Sequence, residues 1–383
     1  MLRWTVALAA VVLSVAAGVG VPRAHASKGM LVGMFDEAHT LYGDPAYSFP
    51  LMRSLHVQVL RSNLYWGGKF GVAKRRPFDA ADPADPAYDW TLYDRLVRYA
   101  TANGIKVLFS IYGTPAWENR GRGLNHAPLR ADDLAKFAYA AAIRYSGTYP
   151  GDDGDILPPV RYWLAWNEPN NPVFLSPQYV RKGSRWVVQS ALDYANICQA
   201  VFAGVHSTLL ANEKVACGGT APRGNNSPRS ERPSVSPLAF MTALRKAGLR
   251  RMDAYAHHPY YGRPSESPTT QPGGRFGRTT AVTLANINTL IALETRLWGR
   301  KPLWITEYGY QTNPPDSVFG VSYAKQAAYL TQAFAIARRN PRIDMMLWYL
   351  LQDEPRLSGW QSGLLTVTGK KKPAFAAFQR VAG

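Results

Sequence analysis

Short apolar runs recur along the chain, each about one strand long. Between them the apolar positions spread to a spacing of three or four. MLVGMF (30–35), VQVLRSNLY (57–65), KVLFSIYG (106–113), VRYWLAWNE (160–168), KVACGG (214–219), MDAYAHHPY (252–260), PLWITEYGY (302–310) and IDMMLWYLL (343–351) read as strands. They are continuously apolar rather than alternating, as expected for strands covered on both faces of a parallel sheet. WTLYDRLVRYATA (90–102), LAKFAYAAAIRY (134–145), YAKQAAYLTQAFAIARR (323–339) and KPAFAAFQRVA (372–382) carry the period of amphipathic helices. A helical stretch follows every strand, the weakest near Phe49 to Leu55. Eight such units in one domain predict an α/β fold of the closed (β/α)8 type, the TIM barrel. An open doubly wound sheet would usually carry a glycine-rich phosphate turn after an early strand, and none is present.

Three longer segments, Gly67 to Asp89, Thr220 to Pro237 and Tyr261 to Thr280, interrupt this rhythm and are rich in Pro, Gly, Ser and Arg. Each follows a strand C-terminus, the face on which barrels build substrate sites, so they are expected to be rim loops rather than linkers. At the N-terminus, Arg3, an apolar stretch from Trp4 to Val21 and the small-x-small triplet Ala24-His25-Ala26 read as a signal peptide over residues 1–26. That leaves one barrel domain, 27–383, and an extracellular, secreted product. An uncleaved anchor is the alternative; Gly18, Gly20, Pro22 and the cleavage triplet favour removal. No other segment is apolar enough to span a bilayer, so the mature chain is expected to have no membrane span.

The formal charge of the 383 residues is +18, and loss of Arg3 and Arg23 with the signal leaves +16. Such a surface favours an acidic glycan, an anionic cell envelope or nucleic acid. The basic residues form only short clusters, such as Lys74-Arg75-Arg76 and Lys370-Lys371-Lys372, without a zinc-finger or RNA-binding signature. Nucleic acid is therefore not an expected partner. Cys198 and Cys217 are the only cysteines. They read either as a disulfide of an exported protein or as two separate buried thiols. Neither points to a metal or to a thiol nucleophile.

Polar residues gather where the strands end. The second strand carries Arg61 and Asn63, and Thr114-Pro115-Ala116-Trp117 follows the third. Asn167-Glu168 closes the fourth, His257-His258-Pro259-Tyr260 the sixth and Glu307 the seventh, while Trp348 lies on the eighth. Two carboxylic acids at the ends of non-adjacent strands, across one barrel mouth, suit glycoside hydrolysis. One protonates the departing oxygen; the other attacks the sugar carbon or activates a water.

Trp166-Asn167-Glu168-Pro169 on the fourth strand with Ile305-Thr306-Glu307-Tyr308-Gly309 on the seventh resembles the retaining glycoside hydrolases of clan A. The likeness extends over essentially the whole chain after the signal. The form WNEPN, with Asp89-Trp90, Gly104 and Thr114-Pro115-Ala116-Trp117, looks most like families 39 and 5. The resemblance implies that Glu168 is the acid/base, Glu307 the nucleophile and Asn167 a donor to the sugar 2-hydroxyl. It further implies that Arg61, His258 and Tyr260 border the nucleophile and that Trp348 floors the first sugar subsite, with no metal or organic cofactor. It also implies an oligosaccharide or polysaccharide substrate.

These roles make physical demands. An ionised nucleophile needs a cation and a donor beside it, which Arg61 and Tyr260 supply. The acid must start protonated, so Trp163, Trp166 and the neighbouring Glu307 are expected to raise the pKa of Glu168. Of the two adjacent histidines, one is expected to face the barrel wall and His258 the site. Trp66, Trp117 and Trp360 are candidate sugar platforms. Asp36-Glu37 and Asp353-Glu354 are open between substrate contact and plain loop. A non-catalytic carbohydrate-binding barrel at the cell envelope is the alternative function, although binding alone does not need two opposed carboxylates.

Overall fold

A computed structural model describes residues 29–273 and 279–383. Strands β1 (Leu31–Phe35), β2 (Val59–Tyr65), β3 (Lys106–Tyr112), β4 (Tyr162–Ala165), β7 (Lys214–Thr220), β8 (Ala254–His257), β9 (Leu303–Ile305) and β10 (Ile343–Tyr349) are neighbours in that order. All are parallel, and β10 pairs back with β1, closing the barrel. The expected (β/α)8 fold is present. Between β4 and the helix after it, the chain inserts an antiparallel hairpin, β5 (Tyr179–Lys182) and β6 (Arg185–Val188), which the apolar pattern did not announce.

The continuous apolar runs hide a period of two. Val59, Leu108, Leu164, Ala216, Ala254, Ala256, Trp304, Met345 and Leu347 fill the barrel interior as one small cluster. Their sequence neighbours, such as Leu60, Phe109, Trp163, Cys217, Tyr255, Met346 and Trp348, belong to the larger core beneath the helices. Small residues let the barrel close: a Cβ on Gly33 of β1 would lie 2.0 Å from the carbonyl oxygen of Val59 on β2.

The outer layer holds α1 (Glu37–Thr40), α2 (Pro45–Ser54), α3 (Thr91–Ala102), α4 (Ala116–Asn119), α5 (Ala131–Arg144), α6 (Gln189–His206), α7 (Pro237–Lys246), α8 (Ile287–Trp298), α9 (Tyr323–Arg339) and α10 (Pro373–Ala382). The weak first helix starts earlier than its apolar residues imply. Pro45 occupies the first turn and the Asp44 side chain caps the Ala46 N–H at 2.8 Å. Cys198 on α6 and Cys217 on β7 form a disulfide with a Cα–Cα distance of 5.9 Å. Among the described residues no helix is long and apolar enough to cross a membrane. The expected signal segment lies outside the described residues.

Candidate active site

One layer above the apolar plug, the inward positions turn polar: Arg61 on β2, Ser110 on β3, and His258 and Thr306 just past β8 and β9. Arg61 is fully buried. It donates through Nε to Ser110 Oγ at 2.8 Å, through Nη2 to Asn167 Oδ1 at 2.7 Å, and through Nη1 to the Thr306 carbonyl at 3.1 Å and Glu307 Oε1 at 2.7 Å. Its Cζ lies 4.3 Å from the Phe35 ring centroid. A buried guanidinium needs this many acceptors, and its rigid fork fixes where Asn167 and Glu307 stand relative to one another.

Glu307 takes its second hydrogen bond on Oε2 from the Tyr260 hydroxyl at 3.1 Å. Burial, with the Glu307 charge nearby, pushes the Tyr260 phenol well above its ordinary range, so it stays a donor. Glu168 is held differently. Asn171 Nδ2 donates to Oε2 at 2.9 Å, and His258 Nδ1 lies 3.1 Å from Oε1. Burial pushes the Glu168 carboxyl up to about 7, with the Asn171 amide and Arg61 pulling the other way.

His258 is pushed down to about 4, chiefly by burial. Its Nε2 faces the Arg61 guanidinium at 3.3 Å and Thr306 Oγ1 at 2.9 Å. Guanidinium can only donate, so Nε2 is the acceptor and the proton sits on Nδ1, pointing at the carboxylates. His257 faces the wall, as expected: it is bonded to Thr220 Oγ1 at 2.8 Å and to the Val282 carbonyl at 3.0 Å, and burial pushes it down to about 3.

One oxygen each of Glu168 and Glu307 and a ring nitrogen of His258 lie within 4.8 Å of one another. A divalent ion bound there would have to share Glu307 Oε1 with the guanidinium at 2.7 Å and would face the protonated Nδ1 of His258. The donor set does not suit a metal.

The turn that carries Glu168 is built from the residues around it. The backbone passes through positive φ at Trp166 (68°) and Glu168 (36°), and the Glu168 N–H donates to the Gly219 carbonyl at 2.9 Å. Asn170 ties this turn to the β7 loop, accepting from the Ala221 N–H at 2.8 Å and donating to the Ala221 carbonyl at 3.1 Å. The Trp166 indole donates to the Phe174 carbonyl at 2.7 Å, anchoring the loop after Asn171 over the cleft. β4 ends at Ala165 and β9 at Ile305, so both carboxylates stand just beyond their strands, where the ladder no longer dictates side-chain direction.

The cleft has a volume of about 630 Å³. Besides the carboxylates, its wall includes Phe35, Glu37, Tyr65, Asn171, Phe174, Arg223, Tyr349 and Trp360. Thus Glu168, Glu307, Arg61, Asn167, His258 and Tyr260 converge, and two expected residues do not. Trp348 faces outward into the helix layer, its indole donating to the Ser362 carbonyl at 2.9 Å; the alternation that places Leu347 inward puts Tyr349, not Trp348, at the cleft. Trp117 sits edge-on to Trp66, with ring centroids 5.8 Å apart, beneath Arg76, and lines a separate depression with Phe78 and Arg130. Trp66 is buried. Of the candidate platforms only Trp360 borders the cleft, braced by Tyr260 and Tyr349 at 5.3 and 5.4 Å.

The rim loops divide in the same way. Arg223 and Arg232 come from the second and Tyr261 from the third, whereas the segment from Gly67 to Asp89 contributes nothing to the cleft wall. Asp353 is committed to Lys372 Nζ at 2.7 Å, and Glu354 accepts from the Trp360 N–H at 2.9 Å, so both serve the loop that carries Trp360. Asn171 and Tyr349 were not singled out from the sequence, and Glu37, left open there between substrate contact and plain loop, borders the cleft. Asn171 was legible in the run Asn-Glu-Pro-Asn-Asn, and Tyr349 from the period of two.

Among solved structures, a family 39 glycoside hydrolase from the gut symbiont Bacteroides cellulosilyticus WH2 shares this fold with a TM-score of 0.63 at 21% identity. The match covers 92% of this chain and 63% of that one, so the chain spans less than two thirds of that relative. A monomeric beta-xylosidase from Caulobacter crescentus CB15 gives 0.56 at 18% identity, over 93% of this chain and 69% of that one. A fungal beta-1,4-galactanase gives 0.56 at 14% identity, over 91% and 99%. These likenesses are of fold: the barrel is shared with glycoside hydrolases, family 39 among them. No family model matches the sequence, and no curated protein matches it either.

Proposed function

We propose that this protein is a secreted retaining β-glycosidase that hydrolyses an O-glycosidic bond of an oligosaccharide or polysaccharide by double displacement. Glu307 attacks the anomeric carbon while Glu168 protonates the departing oxygen. Glu168 then takes a proton from the water that releases the glycosyl-enzyme, leaving Glu307 free again. Arg61 and Tyr260 hold the attacking carboxylate in place, and Asn167 donates to the sugar beside the anomeric carbon.

The observation that carries this reading is the approach of the two carboxylates, with one oxygen of each within 4.8 Å of the other. Retaining enzymes need about 5–5.5 Å between the groups, whereas inverting enzymes need roughly 6.5–9.5 Å to admit a water. The unlike surroundings of the two carboxylates support the division of labour. Export is proposed from the N-terminal segment, and the disulfide suits an oxidising compartment.

The test is a panel of aryl β-glycosides and polysaccharides, with the first-formed product of any active substrate followed by proton NMR. A β-configured first product is expected; an α-configured one rejects double displacement. Saccharide binding without turnover across the panel would favour the non-catalytic barrel instead. Appearance of the protein in culture medium, beginning after Ala26, tests the export.

A further inference from the structure

Glu37 is a third carboxylate in the cleft, and neither proposed chemical step uses it. It opens α1 immediately after β1, and its place is tightly set. The preceding residue, Asp36, caps that helix by accepting from the His39 N–H at 3.0 Å and ties it to the end of β10 by accepting from the Leu351 N–H at 2.9 Å. Glu37 Oε1 then accepts from the Asn63 N–H at 2.7 Å and Oε2 from the Tyr65 hydroxyl at 3.1 Å.

A carboxylate offers about four acceptor positions. The protein fills one on each oxygen, and the half-buried side chain borders the cleft. Arg61, the nearby cation, spends its nitrogens on Ser110, Asn167, Thr306 and Glu307. Glu37 is thus aimed, partly desolvated and, among the described residues, without an ion-pair partner of its own; burial pushes it up to about 7. Such a group is costly unless something in the cleft completes its hydrogen bonds.

Its position assigns a side of the substrate. The leaving group lies beside the proton donor Glu168, whose turn also carries Asn171 and is tied to the β7 loop. Glu37 lies on the β1–β10 wall with Phe35 and Tyr349, whose rings are 5.4 Å apart, and β10 adjoins the strand that leads to Glu307. That wall faces the sugar transferred to the enzyme.

We infer that Glu37 is a specificity residue for the transferred sugar, its two oxygens accepting hydrogen bonds from neighbouring hydroxyls of a neutral pyranose or furanose ring. The inference rests on the glycosidase reading above. It also disfavours a uronic acid in that position, because a second carboxylate would meet Glu37 while Arg61, the nearby cation, is already engaged by Ser110, Asn167, Thr306 and Glu307.

The experiment uses the full chain, the aryl β-glycoside it turns over best, and deoxy analogues lacking each hydroxyl of the transferred sugar in turn. Glu37→Gln is expected to lower kcat/KM on the parent glycoside at least about tenfold. One deoxy analogue should be penalised to a similar degree with the unaltered protein but lose no more than about twofold further with Glu37→Gln, because the contact is already gone. Tyr65→Phe, which removes one pinning donor and keeps the carboxylate, should show the same pattern more weakly, and it carries the test if Glu37→Gln fails to fold. Activity of Glu37→Gln within about twofold of the parent value, or penalties that multiply for every deoxy analogue, would overturn the inference while leaving the glycosidase reading standing. A protein that turns over no glycoside removes both.

Discussion

Glu168 and Glu307 share one cleft and one residue type, yet their surroundings differ at nearly every atom. Glu307 is gripped by a guanidinium at 2.7 Å and a phenol at 3.1 Å. Glu168 has a neutral amide at 2.9 Å and a neutral imidazole at 3.1 Å, and burial pushes its carboxyl up to about 7. One environment stabilises charge and the other penalises it. Such a contrast is what the proposed mechanism asks of a nucleophile and an acid standing side by side near neutral pH.

The comparison breaks most visibly at Glu307. Glu307→Ala should lower kcat/KM on every substrate by roughly 10⁴-fold or more, with a lowered Tm, because the buried Arg61 loses its charged partner, but with a cooperative unfolding curve that shows the protein is still folded. Unchanged turnover would end the mechanism. Arg61→Met removes the grip rather than the carboxylate. A loss of about 10²–10³ in kcat is expected, together with a lowered Tm, because acceptors built around a buried cation are left without it.

On the other side, Glu168→Ala should cost about 10²–10⁴ on substrates with poor leaving groups and much less on activated aryl glycosides. Azide should partly restore it and yield a β-glycosyl azide; no such adduct would argue against Glu168 as the acid/base. The pH dependence follows from the sign of its shift. The protonated form is the competent acid, so activity is present below about 7 and falls as pH rises through that value. This limb should vanish in Glu168→Ala and persist in Glu37→Gln, which separates the two carboxyls that both sit at about 7.

A finer test is Asn171→Ala. The amide stabilises the Glu168 anion, so its loss should move the basic limb to higher pH while costing less than about tenfold in rate. A limb that stays put would mean that Asn171 serves only the turn. The smallest effects separate two tryptophans. Trp360→Ala should raise KM several-fold, roughly the loss of one stacking face, with kcat little changed. Trp348→Phe should lower Tm and leave KM alone, because that ring packs under the helices.

How much of this was legible beforehand varies residue by residue. The strand cores, α9 and α10 lay in the apolar pattern, because burial against a sheet or a helix stripe needs only local composition. Glu168 and Glu307 were legible because two motifs fell at the right strand ends, and His258 because adjacent residues on a strand face opposite ways. Trp348 was expected in the site by resemblance and Trp117 as a sugar platform, but one obeys the alternation of β10 and the other follows α4 away from the cleft. The hairpin β5–β6 left no signal, since its residues are only half-buried or exposed and alternate weakly.

The order of strands and helices, the outward period hidden in each strand and the identity of the two acids are properties of the chain read in one dimension. Local burial and strand direction need nothing more. What divides Glu168 from Glu307, and recruits Glu37 beside them, arises only when β1, β2, β4, β8 and β9 close into one ring. Arg61 lies 246 positions from Glu307 in sequence and 2.7 Å from it in space. A charge environment is set by such distances and by the water they exclude, and neither is written in the neighbours of a residue along the chain.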